Sequence, residues 1–238
     1  MDTSTDNITV KEQGAALADG LTLVRLLLGP LVALVIILGL RYMKTGDGLP
    51  DLPYRDFGFA VLATVLFSLG ALTDLLDDIL GGAQKAGGRM FGWFDDAADA
   101  VLIGAALLAL LYVTGKAGVL SPVFLILALI YVGRDILVGI TKGFDFSKTG
   151  VPQSKFGDWK NASAMLGTGL LIAAPWLGTI AERLMARSGD NLAEAWMTSG
   201  NFINIAGLVF LGIAVLLSLI TAFDYFTKTP ISSDEASA

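Results

Sequence analysis

Six aspartates crowd one short stretch, TDLLDDILGGAQKAGGRMFGWFDDAADA: Asp74, Asp77, Asp78, Asp95, Asp96 and Asp99. Asp74 and Asp77 are spaced i, i+3, and Asp95 and Asp99 i, i+4, so on helices each pair shares one face. Two such helices packed side by side bring four carboxylates to one point. Oxygen-only ligands suit hard cations such as Mg2+, Mn2+ or Ca2+, and two divalent ions would neutralise four carboxylates while leaving positions open for a phosphate-bearing substrate. Helix capping accounts equally well for Asp78 and Asp96 taken singly. It does not account for two spaced pairs, since a helix end needs one acid.

The elements that must position these acids are membrane helices. A span needs about 20 mostly apolar residues, and six stretches qualify: Leu21 to Leu40, Phe57 to Leu76, Ala97 to Val113, Val119 to Ile140, Ala162 to Ile180 and Phe202 to Phe226. The third is short and is expected to begin at Asp95. Gly46, Gly48, Pro50 and Pro53 break the chain after the first span, and Gly81, Gly82, Gly87 and Gly88 after the second. The fold class predicted is all-α, a polytopic membrane protein with six transmembrane helices forming one domain over 20–228. A polar segment, 1–19, precedes it, without the basic start of a cleaved signal peptide, and a polar tail, 229–238, follows.

Composition agrees. Of the 238 residues, 54% are hydrophobic and only 16% charged, and mean hydropathy is +0.69, a balance foreign to soluble domains. The net charge of -6 argues against non-specific nucleic-acid binding, which needs a basic surface. Cysteine and histidine are both absent, so disulfides, thiolate sites, catalytic triads and His-ligated zinc are excluded. Acid–base and metal chemistry must come from carboxylates, Lys, Tyr or water.

Six spans in succession place the acidic hairpin and both termini on one face. That face carries Lys11, Arg25, Lys85, Arg89, Lys142, Lys148, Lys155, Lys160 and Lys228; the other carries Arg41, Lys44, Arg55, Lys116, Arg183 and Arg187. The excess of basic residues predicts a cytoplasmic acidic face in a cell membrane. Arg134 lies inside the fourth span, where an unpaired guanidinium is costly. Adjacent helical residues point about 100° apart, so a phosphate or a motif aspartate is expected as its partner rather than Asp135; snorkelling or pairing within the bundle is the plain alternative. Trp93, Trp159, Trp176 and Trp196, near span ends, read as interfacial anchors, and Gly167, Gly169 and Ala173 as helix-packing positions.

The spacing Asp74-x2-Asp77-x17-Asp95-x3-Asp99 is similar to the four aspartates of the CDP-alcohol phosphatidyltransferase signature, D-x2-D-G-x2-A-R-x8-G-x3-D-x3-D. LTLVRLLLGP (Leu21 to Pro30) resembles the family's Leu-Thr-x2-Arg-x4-Pro in its first helix. Arg134-Asp135 resembles its fourth-helix Arg-Asp/Glu, and GDWKN (Gly157 to Asn161) the Gly-Lys-x-Lys-Thr of phosphatidylglycerophosphate synthases, the type within the family that this chain is most similar to. The resemblance spans roughly residues 20 to 225. Departures fall on the nucleotide half of the signature, where Asp78, Gly81, Gly82 and Phe91 replace Gly, Ala, Arg and Gly. Asp78, Gly81 and Gly82 hold positions that contact the CDP moiety in the family. Arg89 and Lys85 are the loop cations available to replace the missing arginine, unless they are plain interfacial charges, and Gly92 stands one place after the missing glycine.

The resemblance implies an enzyme of phospholipid biosynthesis. Asp74, Asp77, Asp95 and Asp99 would hold two divalent ions, Mg2+ or Mn2+, against the pyrophosphate of CDP-diacylglycerol. An acceptor hydroxyl would attack the lipid-side phosphorus, CMP would leave, and Asp99, at the last motif position, would take the proton. The expected acceptor is glycerol 3-phosphate, with Arg25, Arg134, Lys142 and Lys160 as candidates for its phosphate; inositol phosphate or serine are alternatives. Lys142 and Lys148 read equally as interfacial lysines. By analogy a homodimer is expected. A catalytically inactive relative that binds metal or lipid is the second reading, motivated by Asp78 and Gly82 and tested by nucleotide binding. Membrane prenyltransferases also use aspartates and magnesium, but their motifs lie far apart in sequence. A transporter would spread its charges across the bilayer rather than gather them at one face.

Overall fold

The computed structural model describes residues 3–43, 52–81, 95–145, 156–188 and 192–227. Six helices follow in order: α1 (Thr3–Leu38), α2 (Phe57–Gly81), α3 (Asp95–Lys116), α4 (Pro122–Asp145), α5 (Gly157–Ser188) and α6 (Leu192–Thr227). Among the described residues, five carry stretches long and apolar enough to cross a bilayer: Asp19–Leu38, Phe57–Leu76, Ala97–Lys116, Pro122–Ile140 and Asn201–Asp224. The expected span at 162–180 lies within α5. The chain is therefore an all-α, multi-pass membrane protein. Its outward residues agree, for Leu27, Leu72, Leu108, Ile136, Leu216 and Phe223 are large apolar side chains left exposed, as on a surface that faces lipid.

The helices outrun the apolar spans. α1 begins at Thr3, so the polar segment before Leu21 is helical for most of its length, and α3 begins at Asp95 as its sequence suggested. Between α1 and α2 the chain forms an antiparallel pair, β1 (Leu40–Met43) with β2 (Leu52–Arg55), in the register Leu40 opposite Arg55 and Arg41 opposite Tyr54. The base of this hairpin is closed by the Asp56 amide donating to Gly39 O at 2.8 Å. Asp56 then caps α2, its Oδ1 accepting from the Phe59 amide at 3.1 Å. Arg41 lies over the Phe59 ring at 5.2 Å. Burial pushes the Arg55 guanidinium down to about 10, which leaves it charged at neutral pH.

The helices divide into two compact units, 1–117 and 118–238. In the first, α1 packs on both α2 and α3, burying Val32, Ile36, Ala63, Phe67, Leu102 and Leu107. In the second, α6 packs on α5 and α4, burying Ala164, Ile172, Leu211 and Ala214. Gly167 is the tightest point there, since a Cβ on it would stand 2.7 Å from the Leu211 amide nitrogen and 2.9 Å from Gly207 O. The packing role expected of Gly167 is thus observed, and Ala173 on the same helix is buried.

Candidate functional site

Two charged clusters stand out, one in each unit. The first is set by close approaches of α1 and α2 to α3. A Cβ on Gly29 would lie 2.9 Å from Val101 O, and one on Gly70 would lie 2.8 Å from a Leu102 methyl. Both contacts admit only glycine without displacement. Arg25 stands one turn before Gly29 on α1, Asp74 one turn after Gly70 on α2, and Asp99 just before Val101 and Leu102 on α3. Each spacer glycine is therefore one helical turn from a charged residue on the same helix, which carries the three charges to one place.

There Arg25 is completely buried. Its Nη1 contacts Asp74 Oδ1 at 2.9 Å and donates to Asp99 Oδ1. Asp99 is nearly closed off, while the Asp74 side chain keeps 24% of its surface, so the cluster is more open on the α2 side. Asp77, Asp78 and Asp95 sit on the described stretches of α2 and α3, but their side chains lie outside the described residues, as do Gly82, Lys85, Arg89 and Phe91; Gly81 is the last residue of α2. Among the described residues no group of three metal-ligating side chains is gathered. The donor chemistry nevertheless fits a hard cation: two carboxylate oxygens from two helices converge on a single positive atom, as oxygen ligands do on Mg2+ or Mn2+.

The second cluster joins three helices. On α4, Arg134 Nη1 donates to Asp135 Oδ1 at 2.7 Å. Its Nη2 donates to the Thr221 hydroxyl of α6, which in turn donates to Ser218 O at 2.9 Å. Asp135 also receives Lys160 Nζ from α5, at 3.1 and 3.3 Å to its two oxygens, and Lys160 Nζ lies 5.4 Å from the centre of the Tyr131 ring. All three charged side chains are largely buried, with only 12%, 8% and 11% of the surface of Arg134, Asp135 and Lys160 exposed. The expectation that Asp135 does not pair with Arg134 is corrected here. The Cα–Cβ bonds do diverge, but the long arginine stem bends its head group back over the shorter Asp135 side chain. Arg134 Nε is buried without a hydrogen-bond partner among the described residues. Lys142 lies on α4 with its side chain outside the described residues, and Lys148 and Lys155 fall in a segment outside them.

The model for the family described as CDP-alcohol phosphatidyltransferase matches residues 15–219, and so takes in both clusters. The chain belongs to that family. It is similar, at 27% identity over 90% of its length and 96% of the relative's, to a protein of Cereibacter sphaeroides named CDP-diacylglycerol--glycerol-3-phosphate 3-phosphatidyltransferase. An Arabidopsis thaliana protein, CDP-diacylglycerol--glycerol-3-phosphate 3-phosphatidyltransferase 2, is 27% identical over 47% of this chain and 51% of its own.

For a CDP-alcohol phosphatidyltransferase-family chain, the residues that sequence reasoning missed are instructive. Gly29 and Gly70 were marked only by standing four residues from Arg25 and Asp74. Thr221 was marked by being a hydroxyl inside the apolar run of the last span, and Tyr131 by standing one turn before Arg134. Arg25, expected at the acceptor phosphate, is placed against the carboxylates of α2 and α3. Trp159 is exposed, as an interfacial anchor requires.

Proposed function

We propose that this protein transfers a phosphatidyl group from CDP-diacylglycerol to glycerol 3-phosphate and releases CMP. The observation that carries this reading is the convergence of Asp74 and Asp99 on one buried point, in a chain of this family whose two remaining motif acids, Asp77 and Asp95, stand one turn away on the same helices. Asp74, Asp77, Asp95 and Asp99 would hold the divalent ions, Mg2+ or Mn2+, which when bound offset charge on the pyrophosphate. Asp99 takes the proton of the acceptor hydroxyl as the new bond to phosphorus forms and the bond to the CMP oxygen breaks.

The second cluster suits the acceptor's phosphate. Arg134 and Lys160 bring two positive charges to the Asp135 carboxylate, and Arg134 Nε is a buried donor without a hydrogen-bond partner among the described residues. Asp78, Gly81, Gly82 and Arg89 are the residues proposed at the nucleotide, with Arg89 as the cation in place of the family's arginine. The acidic face is proposed to be cytoplasmic and the protein a homodimer.

CMP release from CDP-diacylglycerol and glycerol 3-phosphate tests the reading, measured with the purified protein in detergent, with and without Mn2+ or Mg2+. Metal-dependent release that disappears in Asp99→Asn is the expected result. CDP binding without release by any acceptor would point to the inactive relative, and the double variant Asp78→Gly with Gly82→Arg is then the one to compare.

A further inference from the structure

We propose that Arg25 is the resident counter-cation of the motif aspartates: it holds Asp74 and Asp99 together before any metal is bound and sets how tightly a divalent ion is taken up. The inference rests on the transferase reading, in which these acids hold the metal. One guanidinium nitrogen receives carboxylates from two different helices, while Arg25 itself has no exposed surface. Two carboxylates facing each other in so dry a place repel unless a cation stands between them. A guanidinium is the side-chain cation that most strongly keeps its proton, so it supplies that charge at neutral pH. The Gly29 contact with Val101 fixes the turn of α1 that carries it, which makes Arg25 a positioning residue rather than a reacting one.

A consequence follows for metal loading. An ion entering beside Asp74 and Asp99 must share their oxygens with Arg25 and sit within a few ångströms of its charge. Uptake by the free protein is therefore weaker than it would be without Arg25. It strengthens when an anionic pyrophosphate arrives and offsets the surplus, so metal and nucleotide load together.

The experiment compares wild type, Arg25→Met and Arg25→Lys in detergent, reading Tm with chelator or with Mn2+, and Mn2+ affinity by the electron paramagnetic resonance signal of the free ion. In Arg25→Met the chelator-treated protein melts roughly 10 °C lower, from the loss of a buried counter-charge, and Mn2+ restores most of the difference. Its Mn2+ affinity rises at least about tenfold as the competing charge is removed, and CDP then strengthens Mn2+ binding less than in wild type. Arg25→Lys keeps the charge and stays near wild-type Mn2+ affinity; should Arg25→Met not fold, a rise in Mn2+ affinity in Arg25→Lys as large as that expected for the methionine variant overturns the proposal. An equal fall in Tm with and without Mn2+, at unchanged affinity, also overturns it, as does an unchanged affinity with a raised KM for glycerol 3-phosphate, which returns Arg25 to the acceptor. A wild type with no Mn2+ response at all overturns the metal reading itself, and is distinguishable because the variants are then not needed to see it.

Discussion

The two charged clusters are near mirror images in charge. In the first unit one cation, Arg25, lies between two acids, Asp74 and Asp99; in the second, one acid, Asp135, lies between two cations, Arg134 and Lys160. Each is buried and ties helices together, and among the described residues acids lead in the first and cations in the second. A buried cluster rich in one sign of charge is structurally costly but chemically a receptor, since an ion of the opposite sign gains from the low dielectric around it. On the proposed reading, the acid-rich cluster is completed by a metal cation and the cation-rich cluster by a phosphate. On that reading, a reaction between two anionic substrates uses two kinds of group, carboxylates that hold a metal and cations that hold an anion.

The comparison breaks most visibly at Asp99. Asp99→Asn keeps the side-chain shape but removes one metal ligand and the proposed base, and kcat for CMP release is expected to fall by about 10^3-fold, within the range for loss of a positioned proton acceptor, with little change in acceptor KM. A large rise in KM at unchanged kcat would sink the division of labour. In the second cluster Asp135→Ala leaves Arg134 and Lys160 facing each other without their acid. Loss of one partner of a buried ion pair costs about 3 kcal/mol or more, read as a fall in Tm in detergent, with glycerol 3-phosphate or inorganic phosphate raising Tm more in the variant than in wild type. Lys160→Met sharpens the contrast further. Removing one charge-assisted contact is worth about 1.5 kcal/mol, so acceptor KM should rise roughly tenfold while Mn2+ affinity stays where it was.

Much of this was legible from residue types and spacing. The helical placement of the paired aspartates, the start of α3 at Asp95 and five of the six expected spans follow from apolar length and from the i, i+3 and i, i+4 periods. The β1–β2 hairpin was not, because Leu40–Met43 and Leu52–Arg55 flank a run of Gly and Pro that reads as loop, and strand pairing is a property of two segments rather than one. The extension of α1 back to Thr3 was hidden for a related reason: a polar helix gives no apolar signal. The sequence marks Arg25 as a candidate for the acceptor phosphate, not as the partner of Asp74 and Asp99. That assignment needs the crossing of α1, α2 and α3, and the crossing is fixed by Gly29 and Gly70, whose role no local pattern announces. The Arg134–Asp135 pair is not legible from helical spacing, because backbone direction does not limit the reach of a long arginine side chain.

The smallest expected effect is also the one that best separates orientation from charge. Thr221 adds no charge to the second cluster; its hydroxyl accepts from Arg134 Nη2 and donates to Ser218 O within its own helix. Thr221→Val keeps the shape and removes both bonds, but Arg134 retains Asp135, so stability should fall by only about 1 kcal/mol, a few degrees in Tm. If Thr221 only fills space, acceptor KM does not move. If it holds the guanidinium with Nε free to receive a phosphate, KM for glycerol 3-phosphate rises a few-fold while KM for CDP-diacylglycerol is unchanged. That split would mean the cation-rich cluster recognises its anion by geometry as well as by charge, whereas in the acid-rich cluster the charge of Arg25 alone is expected to matter, as the Arg25→Lys variant tests.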